Sequence, residues 1–133
     1  MNLPGLNIQA PWARFLLNRK KTIETRTYTL PGKYLSEDLW LIETPGQLGT
    51  FKARVIGIIR FSKSKQYGTA AEFDADYDSH LVPRNEPTYR WREGVPKHGW
   101  IVESVRPIAE FDAPSPRGIV FARPFKQRPR LDQ

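Results

Sequence analysis

Three residues in the stretch "NRKKTIETR", namely Lys21, Glu24 and Arg26, have types and spacing suited to gripping an anionic or nucleotide-like ligand. In an extended chain Glu24 and Arg26 share one face, about 7 Å apart at the strand rise. Lys21 falls where a preceding helix turns into that strand. A carboxylate flanked by two cations accepts hydrogen bonds from a base edge or a hydroxyl. Arg26 can fork onto a phosphate, and Lys21 can meet one as a point charge. Lys21 and Glu24 also form a candidate acid–base pair. The same spacing describes an exposed ion-pair ladder, which contributes little energy. Spacing alone leaves both readings open.

The overall charge bears on the choice. Twenty-one Lys and Arg against fourteen Asp and Glu leave a formal charge of +7, and the pI is near 9.9. That excess favours a polyanionic partner, and nucleic acid, RNA or DNA, is the commonest of these. There is no cysteine, so disulfides, thiolate metal sites and Cys nucleophiles are excluded, which fits a cytoplasmic setting. No apolar run reaches the roughly 18 residues of a membrane span, and "MNLPGLNIQAP" does not read as a signal peptide. Phosphate-binding glycine loops and the nucleophile elbow are missing. His80 and His98 lack metal-ligand spacing, and His98 reads as a strand-entry residue. Asp74, Asp76 and Asp78 imitate a calcium loop, yet Ser79 stands where glycine is required and Asn85 where the last Glu is required. They read as an acidic helix end. No metal or cofactor is expected.

These residues need a scaffold. Leu6 to Gln9 suit a first strand. A short helix follows from Pro11, with Trp12, Phe15 and Leu16 on its buried stripe and Asn18 as a left-handed stop. "KTIETRTY" switches to strand period, "DLWLIET" reads as a strand, and "FKARVIGIIRF" is a longer one with Gly57 marking a bulge. Thr69 and Glu72 are spaced as a capping box for a second short helix. Residues 79–99 read as a long, arginine-rich loop. "WIVESVRPIAEF" reads as a strand broken by Pro107, and "RGIVFARPF" as the last strand. Small size and many short strands point to an α+β domain around a closed or nearly closed barrel of about five or six strands. One helix precedes the second strand.

The segment "LLNRKKTIETR" resembles the signature of the ASCH family, a PUA-like β-barrel group whose motif reads G-x-K-x-x-E-x-R. Lys21, Glu24 and Arg26 match it in order and spacing. "GWIVESVRPIAEFDAPSPRG" is similar to the family's later segment, and "IQAPWARFLL" to the helix before the motif. The resemblance spans roughly residues 6–121 and implies one ASCH/PUA-like domain over 1–123, followed by a basic tail over 124–133. One position departs: the motif's glycine is Arg19 here. The turn is then expected to take its unusual backbone angle at Asn18, with Arg19 adding a cation beside the cleft.

The resemblance implies an RNA-associated module whose cleft, between helix and barrel, is lined by Lys21, Glu24 and Arg26. Trp12, Tyr28 and Trp100 are candidate faces for a stacked base, although the apolar neighbours of Trp12 and Trp40 favour core packing. Arg90 and Trp91, together with Tyr89, interleave aromatic and basic groups in the long loop and are further contact candidates. The alternative is an enzyme on RNA or modified nucleosides. One form is a ribonuclease using Lys21 and Glu24, or a carboxylate from the stretch Glu72 to Asp78, for acid–base chemistry. Another resembles amidohydrolases of N4-acetylcytidine, which use a Lys, a Thr and a Glu. Glu24 stands at the threonine's position, leaving Thr22 or Thr25 as substitutes, and Glu72 lies where an acid is needed. A further alternative is a protein-interaction module like the ASCH domain of transcription coactivators. The tail cations Lys126, Arg128 and Arg130 are expected to add nonspecific affinity.

Overall fold

The computed structural model describes residues 1–45, 49–114 and 119–128. The expected loop at 46–48, the turn at 115–118 and the tail from 129, including Arg130, lie outside the described residues. Six strands form one mixed sheet. They are β1 (Asn2–Gln9), β2 (Ile23–Arg26), β3 (Leu39–Thr44), β4 (Arg54–Tyr67), β5 (Lys97–Asp112) and β6 (Phe121–Lys126), in the order β2-β5-β4-β3-β1-β6. Helix α1 (Trp12–Leu17) lies between β1 and β2, and α2 (Ala70–Ala75) and α3 (Tyr77–His80) follow β4. β1 runs parallel to β3, and every other pair is antiparallel.

A hydrogen-bonded closed barrel is not what forms. β2 and β6 end the strand order, and no ladder joins them among the described residues. The sheet nevertheless curls, because Trp100 on β5 stacks against Phe121 on β6 with ring centroids 6.0 Å apart. Inside the curl, Leu6, Leu16, Leu41, Ile59, Phe61 and Trp100 form the main core. A second cluster on the outer face joins Trp40, Ile42, Val55 and Phe111. Trp40 is core as expected, and its indole N–H donates to the Phe125 carbonyl at 2.8 Å. The sheet includes residues 124–126 through β6.

β4 and β5 run longer than their sequence patterns suggest. Pro107 does not break β5, because β2 pairs only with His98–Ile101 and leaves the Pro107 edge free of a second neighbour. The missing N–H there disrupts no ladder. Across from Pro107, Gly57 sits at a register shift, as the sequence suggests. A Cβ on Gly57 would come within 2.6 Å of the Arg106 carbonyl oxygen.

The helix-to-strand turn differs from expectation in one detail. Asn18 has an ordinary φ of −87°, and Arg19 itself takes the left-handed conformation with φ of 67°. Asn18 instead uses its side-chain oxygen to accept the Lys20 N–H at 3.0 Å. Helix α1 is anchored by Arg14, which reaches Glu43 on β3 at 2.9 Å and Glu110 on β5 at 3.0 Å. That clamp sets where the turn, and so Lys21, meets the sheet. No helix among the described residues is long and apolar enough to cross a membrane.

Candidate functional site

The gap between β1 and β2, covered by the loop after α3, is a cleft of about 880 Å³. Its lining among the described residues carries four cations, Lys21, Arg26, Lys52 and Lys97, against the single carboxylate of Glu24.

Lys21 forms the floor. The left-handed turn at Arg19 brings the Lys21 N–H to the Phe15 carbonyl at 2.9 Å, which aims the side chain inward to 1% exposure. Its ammonium donates to the His80 carbonyl at 2.5 Å. It also lies 5.0 Å from the centroid of the Trp12 ring and 3.8 Å from Glu24 Oε1. Burial is the main influence on its pKa. Attraction to Glu24 partly offsets burial, Arg26 and Lys97 add to it, and the group is pushed down to about 8.

Glu24 and Arg26 share a strand face, as the period predicts. Arg26 Nε donates to Glu24 Oε2 at 3.1 Å. Its Nη2 spans the gap to the Asn7 carbonyl on β1 at 3.3 Å, and its guanidinium lies 5.5 Å from the Trp100 ring centroid. Glu24 is 6% exposed, so the surface-ladder reading does not describe it. It is a buried carboxylate between two cations.

The aromatic candidates separate. Trp100 is fully buried and offers no free face for a base. Tyr28 is exposed and lines the cleft, with its ring edge-on to Trp100. Trp12, half-buried, packs against the main core as the sequence pattern favours and also lines the cleft. Tyr89 reaches the cleft from the long loop, with its ring perpendicular to Trp12 at 5.9 Å and its hydroxyl donating to Gln9 Oε1 at 3.2 Å. Trp91 instead packs on the satellite core of Tyr67, Phe73 and Val82, and its neighbour Arg90 is exposed outside the cleft lining. Arg19 also lies outside, donating to the Val105 carbonyl at 3.2 Å. The left-handed backbone swings its side chain over β5.

Two groups at the site carry little sequence signal. His80 is fully buried. Its Nδ1 accepts the Val82 N–H at 2.9 Å, so Nε2 carries the proton and donates to the Phe73 carbonyl at 2.7 Å. Burial pushes its pKa down, consistent with a neutral ring that positions the carbonyl holding Lys21. Lys97 is also buried and donates to the Tyr89 carbonyl at 2.8 Å, tying the loop to β5. Its place just before the alternating pattern of β5 was the available clue. Asn7 alternates with the core residues Leu6 and Ile8, which turns it toward the cleft.

The remaining candidates have other work. Glu72 caps α2: its carboxylate accepts the Gly68 N–H at 2.8 Å, while Thr69 Oγ1 accepts the Glu72 N–H at 3.1 Å. It is not among the cleft-lining residues, and neither is Thr22, whereas Thr25 is. Asp76 accepts from Lys65 and from the Tyr67 hydroxyl, each at 2.6 Å, and Asp74 pairs with Arg84.

No family model and no curated protein matches this sequence. Solved structures do. The ASCH protein of Zymomonas mobilis superposes with a TM-score of 0.66 at 17% identity, over 97% of this chain and 88% of that one. A tyrosine-to-phenylalanine mutant of it gives 0.66 at 16% identity, over 92% and 90%. A serine-to-alanine mutant gives 0.64 at 20%, over 90% and 86%. At these identities the likeness concerns architecture, and it covers nearly the whole chain: the protein has an ASCH-like fold.

Proposed function

We propose that this protein binds RNA, or a nucleotide-like ligand, in the cleft between β1 and β2. The observation that carries the proposal is the cleft's composition, with four cations and one carboxylate beside the reachable aromatic rings of Trp12, Tyr28 and Tyr89. A single-stranded ligand needs this combination: cations for phosphate, a ring face for the base and a polar floor for its edge. Exposed Lys52 and half-buried Arg26 suit phosphate contacts, and Glu24 suits the base edge. The chain's +7 charge supports the same reading.

Fluorescence anisotropy with labelled single-stranded RNA and DNA tests it. Affinity should fall steeply as salt rises, and Lys21→Met combined with Arg26→Ala should weaken binding at least about tenfold, the equivalent of 1.4 kcal/mol. Undiminished binding by that double variant, or no binding to either polymer at low salt, sinks the proposal.

A second reading, turnover of RNA or a modified nucleoside, has one observation in its favour. Lys21, with its pKa near 8, sits 3.8 Å from a carboxylate and can exchange a proton near neutral pH. The amidohydrolase form has less support, since Glu24 occupies the nucleophile's place and Glu72 is engaged as a cap. Incubation with end-labelled RNA and with N4-acetylcytidine, comparing wild type with Lys21→Met and Glu24→Gln, separates turnover from binding. Product lost in both variants supports an enzyme, and no product at high protein concentration removes that reading.

A further inference from the structure

The deep part of the cleft holds more positive charge than its own carboxylate offsets. Lys21 and Lys97 are 1% and 5% exposed, and both line the cleft. Each ammonium has three protons to donate and one hydrogen-bond acceptor among the described residues, the His80 carbonyl for Lys21 and the Tyr89 carbonyl for Lys97. Glu24 Oε1 lies 3.8 Å from Lys21, an ion pair without a hydrogen bond. Arg26 commits Nε to Glu24 and Nη2 to the Asn7 carbonyl, which leaves Nη1 without an acceptor among the described residues. Neighbouring charges do not alter the balance. Exposed Lys52 is ion-paired with Asp112, and Arg92 and Glu86 act on Lys97 with opposite signs. Three cations, Lys21, Arg26 and Lys97, therefore face the single carboxylate of Glu24, an excess of two positive charges. Arg26 and Lys97 each push the Lys21 pKa down, so these cations repel one another across the cleft. Charge kept from water in this way is unfavourable until a counter-charge arrives.

The size of the excess distinguishes two kinds of phosphate. An internal phosphodiester carries one negative charge. A terminal phosphomonoester carries about −1.5 to −2 at pH 7 and has three acceptor oxygens, which suits two buried ammonium groups and a guanidinium with protons to donate. The way into the cleft favours the same group. Arg26 crosses from β2 to the Asn7 carbonyl on β1, and the Tyr89 hydroxyl crosses from the covering loop to Gln9 on β1. A continuous strand passing through would have to break these bridges, whereas a strand end stops short of them. Resting on the reading of the cleft as a nucleotide site, we infer that it takes the phosphorylated end of its ligand, with a terminal phosphomonoester seated against Lys21, Lys97 and Arg26. Lys97 is then the residue that sets specificity for the end, because it supplies the charge that an internal phosphodiester does not match.

The test uses the whole chain and a short single-stranded RNA of one sequence, labelled at an internal base so that both ends stay open. It is prepared with a 5′-phosphate, with a 3′-phosphate and with hydroxyls at both ends. Each phosphorylated form is also made as its methyl ester, which keeps the group in place with one charge. One phosphorylated form should bind at least about tenfold tighter than the hydroxyl form, the size expected for added charge-assisted hydrogen bonds. Which of the two does so gives the direction of the strand in the cleft, and its methyl ester should lose most of the gain. Lys97→Met keeps the stem beside Phe73 and should bring the ratio of phosphorylated to hydroxyl binding close to one. A preference that survives in Lys97→Met overturns the inference, as does a methyl ester that binds as well as the free phosphate. Equal binding of phosphorylated and hydroxyl ends by the wild-type protein overturns it whatever the variant does. If that equal binding still falls steeply with salt, the nucleotide-binding reading stands and end recognition alone falls. If no form binds, both fall.

Discussion

Replacing Lys21 by methionine should stabilise the protein at neutral pH while removing ligand binding. Burial holds the Lys21 ammonium near pKa 8 against an ordinary value of 10.5. Below pH 8 the group is charged in both folded and unfolded chains, so the folded state carries the full cost of keeping that charge out of water. As pH rises from 8 toward 10.5 the folded chain loses the proton first, and the cost fades. At 1.36 kcal/mol per pH unit the full cost is about 3 kcal/mol. The attraction to Glu24 is already contained in that shift. Methionine keeps the unbranched stem beside Trp12 and gives up in addition only the bond to the His80 carbonyl, about 1–2 kcal/mol. The net gain at pH 7 is then about 1–2 kcal/mol. For a chain of this size that raises the melting temperature by about 3–8 °C. Thermal melts of both proteins at pH 7 and pH 9.5 measure it. By pH 9.5 only about 1 kcal/mol of the wild-type cost remains, so the advantage of the variant should nearly vanish. A variant that melts below wild type at pH 7 refutes the reasoning, as does a gap between the two proteins that ignores pH. Stability gained with binding lost is the expected signature of a charge kept for function.

Other substitutions probe neighbouring parts of the site and scaffold. Glu24→Gln leaves Lys21 and Arg26 without their carboxylate and should cost about 3 kcal/mol in a urea titration; a loss under 1 kcal/mol contradicts the buried triad. Arg19→Gly relieves a left-handed residue, worth about 1–2 kcal/mol, against one bond to Val105, so the denaturation midpoint should rise modestly, and a fall contradicts strain at this turn. Gly57→Ala drives a Cβ to 2.6 Å from the Arg106 carbonyl and 2.7 Å from Leu17 Cδ1, and should lower stability by about 2 kcal/mol or more. An unchanged melting curve would show that the bulge yields easily.

Much of the scaffold was legible because its signals are local. Strand period placed Glu24 and Arg26 on one face, and the Thr69–Glu72 spacing marked the start of α2, although Glu72 reaches the N–H of Gly68, one residue before the cap. Gly57 announced its bulge. Pro107 misled, because its effect depends on whether its edge of β5 has a neighbour, and sequence does not state strand order. Arg19 misled for a related reason. Residue preference favours Asn18 for the left-handed angle, but helix α1, clamped by Arg14, ends where position 19 must make the turn.

The sequence by itself determined the charge excess, the absence of cysteine chemistry and the ordered trio of Lys21, Glu24 and Arg26, all of which are properties of residue type and short-range spacing. Tertiary structure decided burial and convergence. It sank Lys21 and Glu24 and turned Trp12 and Tyr89 toward the cleft. It also sent Trp91, Arg90 and Arg19 elsewhere and brought Asn7, Lys97 and His80 to the trio from distant parts of the chain. These outcomes depend on how the sheet curls and which strands become neighbours. A desolvated lysine or an excess of buried cations exists only once those long-range contacts have excluded water.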